Sequence, residues 1–294
     1  MSYSILGQSL HEIADQAKHY FADEYGAKHF KCELAIDDDL PLRPTWQASL
    51  AAGYHLCVEV RESPFSNTLY EFVSKCAAKT LPIRLWVVVP QAAAVPSFNT
   101  ELKQARDLGV GVVQIGDDGK AHEFHRPVPL SLFALKKTDL KTVPKTRREE
   151  VKTAESTFLD GSPGQGCQSI CQALEQLTRQ FAQHTYDQGL WKQSQGAPIL
   201  NAAFFETKPW AKVLETLEER VDNVRVKLKS PTFSKQAIVK ARSHTDWRNA
   251  VSHQPSTFKQ TKERDAKLRT MFEATRDVLV EWYEIAKPFK LNKL

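Results

Sequence analysis

The sequence has no long hydrophobic run and no leader-like start. No stretch approaches 18 consecutive apolar residues, the length at which a membrane-spanning helix becomes the expected structure. Residues 1–5 are without the basic flank and apolar run that mark a secretory signal peptide. We therefore expect a cytoplasmic protein that does not enter a membrane.

Cysteine is scarce, and its placement argues against both a disulfide framework and a structural zinc site. The five cysteines are odd in number and scattered. Only Cys167 and Cys171 lie close together, with no second pair and no nearby histidine to complete a zinc site. We expect free thiols in a reducing compartment. The sequence also has no internal repeat and no extended low-complexity tract.

What the chain does have is an ordinary globular composition and an uneven charge. Its 294 residues predict two domains, and 41% hydrophobic with 26% charged residues is typical of a folded globular protein. Residues 224–294 hold 16 Lys and Arg against 7 Asp and Glu, a net charge of +9, so the remainder carries −4 of the total +5. A polyanion would bind at the basic end, although a solvated basic helix surface has the same composition.

The first 130 residues predict a mixed α/β domain. Apolar positions at helical spacing predict a helix over residues 8–25, which Gly26 ends. Further along, runs of apolar residues bounded by turn residues predict strands over 30–36, 45–51, 54–60, 83–89 and 110–115, with helices over 68–79 and 99–108. The order αβββαβαβ predicts a mixed sheet flanked by helices.

The rest of the chain predicts a linker followed by a helical bundle. Residues 131–166 hold scattered lysines and arginines and end in a run rich in Gly and Pro, which is typical of a linker. Residues 167–294 show apolar stripes at helical spacing, including a shorter helix from about Ser234 to Ser252 that Pro255 would end. Such stripes predict a bundle of four to five helices.

Two segments match the pattern Arg-x4-His, which alone is expected by chance in a chain of this composition. In Arg179 to His184 the histidine continues the apolar stripe of its helix, so we assign that pair to structure. In the second segment Asn249 follows Arg248, and His253 falls near the expected end of a helix in the basic region. Those neighbours make the second segment the candidate site.

The side chains of this second segment suit RNA cleavage without a metal ion. An imidazole can transfer a proton while a 2′-hydroxyl attacks the phosphodiester, and a guanidinium can hold the non-bridging oxygens. Asn249 could orient His253 or bind phosphate. On an ideal helix Arg248 and His253 lie about 140° apart, so the last turn must unwind or a second copy of the motif must face the first. A histidine that only caps a helix end is the alternative.

The segment WRNAVSHQP, set in a helical C-terminal region, resembles the R-x4-H motif of the HEPN family over roughly residues 165–287. The resemblance implies an all-helical ribonuclease that needs no metal cofactor and forms a homodimer through the C-terminal bundle, so that two motifs build one composite site. It implies Arg248, Asn249 and His253 as catalytic residues and RNA as substrate. It also implies antiviral defence, a toxin system or RNA processing as the setting. Some members of the family are not catalytic.

Residues 8–120 resemble the restriction-endonuclease-like, PD-(D/E)xK, fold. The resemblance is in the element order and in the segments Arg43–Trp46 and Gly53–Arg61. Active members have an aspartate after the proline and a Glu-x-Lys on the next strand, which bind Mg²⁺ and activate water. Here Thr45 and Arg61 replace the aspartate and the lysine, and only Glu59 matches. The resemblance therefore implies a degenerate nuclease-like site, because one carboxylate binds magnesium poorly and arginine cannot accept a proton.

Together these patterns predict a degenerate nuclease-like domain over residues 1–130 and a HEPN-like ribonuclease over 167–294. The first would recognise a target or regulate the second, with DNA or a protein as the trigger. Metal-dependent cleavage by the first domain, with a displaced carboxylate from Asp37–Asp39, is the less favoured alternative. The competing function is a non-catalytic protein that binds nucleic acid or a partner, with both nuclease-like domains inactive.

Overall fold

A computed structural model describes residues 3–50, 53–91, 96–191, 199–220, 233–247 and 255–291. Within these residues the protein is mixed α/β. The chain divides into two compact units that interleave in sequence. The first unit comprises residues 1–135, 159–161 and 254–267, and the second comprises 136–158, 162–253 and 268–294.

A six-stranded sheet lies in the first unit, and its strands are neighbours in chain order. The strands are β1 Lys28–Cys32, β2 Trp46–Ser49, β3 His55–Val60, β4 Ile83–Pro90, β5 Gly111–Ile115 and β6 Ala121–His125. The pairs β3–β4 and β4–β5 are parallel, and the other neighbouring pairs are antiparallel. The mixed sheet predicted from the sequence is confirmed.

Helices cover both faces of this sheet. They are α1 His11–Tyr25, α2 Asn67–Ala78, α3 Phe98–Asp107 and the short α4 Leu130–Phe133. In β4, Leu85 and Val87 join a core cluster with α2 and α3, whereas Trp86 and Val88 join a second cluster with α1. Alternate residues of a strand point to opposite faces, so the continuous apolar run of β4 is buried on both sides, as its sequence predicts.

Local backbone chemistry sets where these elements begin and end. Gly26 ends α1 in the left-handed region at φ 60°, a conformation that favours glycine. Ser66 caps α2, where its hydroxyl oxygen accepts a hydrogen bond from the Leu69 amide. The prediction for β1 was wrong at its end: the strand stops at Cys32 instead of residue 36, because Glu33 turns the chain at φ 49°.

The expected linker contains regular structure. Residues 131–166 include most of α4, the helix α5 Arg148–Leu159 and the start of the next helix. Val151, Ala154 and Phe158, which are spaced by three and four residues, are all buried in α5. The basic and Gly/Pro-containing composition hid this short apolar stripe, which gives α5 one face to pack.

The described part of the second unit is built from helices. After α5 come α6 Pro163–Asp187, α7 Ala202–Thr207, α8 Trp210–Arg220, α9 Lys235–Arg242 and α10 Phe258–Ala286. Helix α6 packs against α7 and α8, and α8 packs against α9. The first residues of α10, up to Lys267, belong to the first unit and the rest to the second. The apolar stripes predicted for α6, α8 and α10 are buried in all described positions except His184, which is partly exposed.

A buried polar cluster holds the start of α10 within the first unit. Asp265 has no exposed surface, and it accepts hydrogen bonds from the hydroxyls of Tyr54, at 2.9 Å, and Ser131, at 2.5 Å. Arg264 donates to the other oxygen of the same carboxylate at 3.0 Å. A buried carboxylate is tolerated only when it is paired and hydrogen-bonded in this way.

Two further predictions concern composition. None of the five cysteines, all of which the structure describes, forms a disulfide, as predicted, and four of them are buried. In the part of the chain that the structure describes, we find no helix with the length and hydropathy needed to cross a membrane.

Candidate functional site

The residues of the C-terminal motif, Arg248, Asn249 and His253, lie outside the described residues. The structure does describe the chain that leads into them. Helix α9 begins after its cap Ser234, as predicted, but it ends at Arg242 and residues 243–246 form turns. The expectation of a helix that continues to Ser252 was therefore wrong.

Side chains that compete for backbone groups end α9 early. Ser243 donates its hydroxyl to the carbonyl of Lys240 at 2.7 Å, and Thr245 donates to the carbonyl of Arg242 at 2.9 Å. Such local bonds offer the backbone an alternative to continued helix. The separation of about 140° between Arg248 and His253 holds for an ideal continuous helix. It no longer applies here, because α9 ends at Arg242.

His244 fixes the turn that precedes the motif. Its side chain is 3% exposed, Nδ1 lies 3.0 Å from the hydroxyl oxygen of Thr275 on α10, and the Trp247 ring packs edge-on against it at 4.3 Å. Burial lowers the pKa of His244 to about 4, so the imidazole is neutral at physiological pH. The chain therefore approaches Arg248 from a turn that is anchored in the helical core.

The other Arg-x4-His pair has structural contacts. Arg179 donates to the Glu175 carboxylate at 2.7 Å and to the carbonyl of Phe205 at 2.6 Å. His184 packs against the ring of Phe289 at 5.4 Å. These contacts agree with the assignment of this pair to structure.

A cavity of about 670 Å³ in the second unit borders the anchored turn. Its walls include Arg179, Lys208 and Trp210, together with Thr245 and Asp246. Asp246 is two residues before Arg248 in the sequence. The lining is of mixed charge, with the carboxylates of Glu175, Glu206 and Asp246 beside the cationic side chains of Arg179 and Lys208.

In the first unit the structure brings Thr45, Glu59 and Arg61 together. Strands β2 and β3 are antiparallel with Trp46 opposite Val58, which sets Thr45 beside Glu59. The Thr45 amide donates to Glu59 Oε2 at 3.1 Å and its hydroxyl donates to the same oxygen at 3.3 Å. Thr45 thus supplies hydrogen-bond donors where an active nuclease of the resembled family would supply a second carboxylate.

The carboxyl group of Glu59 has a pKa well above its usual range. Burial raises its pKa to about 7, although the hydrogen bonds from Thr45 and the positive charge of Arg61 act in the opposite direction. The negative charge of Glu33 adds to the increase. Glu59 is therefore close to half protonated at neutral pH.

Arg61 lines a cavity of about 320 Å³ that Thr45 and Glu59 also line. Its guanidinium donates to the hydroxyl of Ser66 at 2.5 Å, the same oxygen that caps α2. Two more charged residues, Glu33 and Arg43, line the cavity. The sequence points to Arg43 only as part of the segment Arg43–Trp46, and it does not point to Glu33, whose only signal is a charged side chain near a strand end.

The acidic run Asp37–Asp39 is divided between two roles. Asp37 and Asp39 form ion pairs with Lys79 at 2.8 Å and 3.0 Å, and Asp38 lines a second cavity beside Glu59. Across the described ranges, with their gaps, there is no group of three or more His, Cys, Asp or Glu residues arranged to hold a metal ion.

Comparisons with models of protein families, with characterised proteins and with solved structures find no match to this chain. The candidate sites are therefore supported by the residues and the geometry of this chain alone.

Proposed function

We propose that the protein is a metal-independent endoribonuclease of the HEPN type, with Arg248, Asn249 and His253 as its catalytic residues. The observation that carries the proposal is the segment Arg-Asn-x3-His in a basic, helical part of the chain. In this proposal the first unit is a degenerate restriction-endonuclease-like domain that recognises a target or regulates cleavage. The setting would be antiviral defence or a toxin system.

The proposed chemistry needs only side chains and the RNA itself. The 2′-oxygen attacks the adjacent phosphorus as its hydroxyl proton passes to solvent water, the bond to the 5′-oxygen breaks, and protonated His253 donates the proton that this oxygen requires. Solvent then reprotonates His253. Arg248 holds the non-bridging oxygens as negative charge builds in the transition state. The products are a 2′,3′-cyclic phosphate and a 5′-hydroxyl end.

Two features of the described residues support this proposal. The turn from His244 to Trp247 is fixed to α10, so the chain enters the motif from a rigid base. A catalytic group needs such support, because small displacements lower the rate steeply. The cavity beside that turn has the cationic side chain of Lys208 in its lining, which suits contact with the RNA backbone.

The proposal is tested by incubating the purified full-length protein with total RNA in EDTA. We expect cleavage with 5′-hydroxyl product ends, and a loss of at least about 100-fold in rate in Arg248→Ala and in His253→Ala, since each removes a group that acts on the reacting phosphate. The matched control is His184→Gln in the other Arg-x4-His pair, which should cleave at the wild-type rate. Undiminished cleavage in both motif variants would overturn the proposal.

A non-catalytic nucleic-acid-binding protein is the second candidate. The observation in its favour is the degenerate first site, where Thr45 and Arg61 replace residues that an active enzyme of that family requires. It predicts that RNA is retained without product ends, with an affinity that falls steeply as salt increases. The same incubation distinguishes the two candidates, because binding without cleavage in the wild-type protein supports only the second.

A further inference from the structure

The cavity beside Glu59 combines two positive groups with one available carboxylate oxygen. Its volume is about 320 Å³, and Arg43 and Arg61 both line it. The Arg43 side chain is exposed and forms no ion pair with the described residues. Both hydrogen bonds from Thr45 reach Oε2 of Glu59, and Oε1 accepts none from any residue that the structure describes.

The segment before α1 covers one side of this cavity. The carboxylate of Glu33 accepts hydrogen bonds from the amides of Ser4, Ile5 and Leu6 at 2.6 to 2.9 Å, and from the Ser4 hydroxyl at 2.5 Å. Ile5 and Leu6 line the cavity as a result. The Glu33 carboxylate therefore binds this segment. The charged side chains of the lining that remain available to a ligand are those of Arg43, Arg61 and Glu59.

These groups define the chemistry of a ligand. Guanidinium groups bind phosphate oxygens through charge-assisted hydrogen bonds. An ionised carboxylate oxygen can only accept, so its partner must be a donor such as the amino group of a base. The volume is at the lower end of small-molecule sites and suits a mononucleotide.

We propose that this cavity binds a nucleoside monophosphate whose base carries an amino group, with the phosphate on Arg43 and Arg61 and the amino group on Glu59 Oε1. The first unit is then a sensor of a small nucleotide. The ribonuclease proposal for the second unit is not needed for this inference, since a mononucleotide has no phosphodiester bond to cleave.

Cytidine and uridine monophosphates give a matched pair of probes, because one carries an amino group where the other carries a carbonyl oxygen. Calorimetric titration of the full-length protein at pH 8, where Glu59 is largely ionised, should show cytidine monophosphate binding at least tenfold more tightly than uridine monophosphate. In Glu59→Gln the preference should disappear or reverse, since an amide can also donate to the uridine carbonyl. Equal binding of the two nucleotides by the wild-type protein would overturn the proposal.

The phosphate contacts are tested separately. Arg43→Ala should weaken cytidine monophosphate binding by tenfold or more and leave the weak binding of unphosphorylated cytidine unchanged. Arg106→Ala, an exposed arginine on α3, is the control and should bind as the wild type does. Binding that is unaffected by Arg43→Ala but lost in Arg248→Ala would assign the nucleotide to the C-terminal motif, and no binding at millimolar concentration would also reject this cavity as the site.

Discussion

At the scale of single residues, Glu33 and Glu59 show how neighbours change one side-chain type in opposite directions. Burial dominates at Glu59 and raises its pKa to about 7. Desolvation acts in the same direction at Glu33, but the hydrogen bonds donated by Ser4, Leu6 and Ile5 outweigh it and lower the pKa to about 2. Glu59 thus exchanges a proton near neutral pH, whereas Glu33 is ionised there and binds the amides of residues 4–6.

For Glu59 we expect a stability that falls as the pH rises. The folded state binds the proton more tightly than the unfolded state does, so the contribution is fully present below pH 4.5 and is lost as the pH rises through about 7. The difference can reach about 3 kcal/mol. Urea unfolding should show that the stability of the wild type relative to Glu59→Gln falls as the pH rises from 4.5 to 8, so that the variant is the more stable of the two at pH 8. A stability difference between the two proteins that does not change with pH would contradict the expectation.

For Glu33 the sign is the reverse. Its folded pKa is lowered, so its stabilisation is present above pH 4.5 and is lost as the pH falls toward 2. In Glu33→Gln the amides of residues 4–6 lose their shared anionic acceptor, and their hydrogen exchange should be at least about tenfold faster. Glu62→Gln, an exposed glutamate in the same unit, is the control. Unchanged exchange would mean that these bonds do not hold the segment.

At the scale of elements, hydrophobic pattern decided where helices and strands form, and single side chains decided where some of them end. The burial of β4 on both faces, the glycine that ends α1 and the serine that caps α9 all follow from local sequence. The early ends of β1 and α9 do not. Glu33 ends β1 with a positive φ, and Ser243 ends α9 with a hydrogen bond to the backbone. The hydrophobic pattern of the sequence reveals neither.

At the scale of elements, we predict how the stability that His244 contributes depends on pH. Because burial lowers its pKa to about 4, the unfolded state binds the proton more tightly, and stability should decrease as the pH falls from 6.5 toward 4. The full effect is about 3 kcal/mol. Urea unfolding should show that the stability of the wild type relative to His244→Phe is lower at pH 5 than at pH 7.5. The stability of the wild type relative to His19→Gln, a change at an exposed position, should be the same at both pH values. If the two variants behave alike, the turn is not held by a neutral histidine.

The opposing effects of Glu59 and His244 overlap in pH. Between about pH 4.5 and 6.5 one carboxyl group loses stabilisation with rising pH while one imidazole gains it. The wild-type profile can therefore look flat in this range. Comparison of each variant with the wild type separates the two contributions, because each substitution removes only one of the two titrating groups.

At the scale of the whole molecule, the charge is unevenly distributed, and the ribonuclease proposal requires two copies of the chain. The net charge of +9 over residues 224–294 favours association with a polyanion such as RNA. A composite site made from two motifs needs a second copy of the chain. The ribonuclease proposal thus includes a homodimer through the helical second unit.

A dimer that builds the site predicts activity that depends on protein concentration. Specific activity per chain should fall on dilution in parallel with the dimer fraction measured by sedimentation velocity, since a monomer holds only half of the site. His184→Gln should follow the same curve as the wild type, because its contacts lie within the chain. Constant specific activity in a range where the protein is monomeric would exclude a composite site.

The sequence by itself determined most of the helices and strands, the mixed sheet, the cysteines without disulfides and the basic C-terminal end, because periodicity, composition and charge are local properties. It also supplied Thr45, Glu59 and Arg61 as candidates through resemblance. Only the tertiary structure decided that Glu33 and Arg43 line the same cavity and that His244 anchors the turn before Arg248. Those contacts join residues far apart in the chain, and strand register and helix packing, which bring them together, have no local signature.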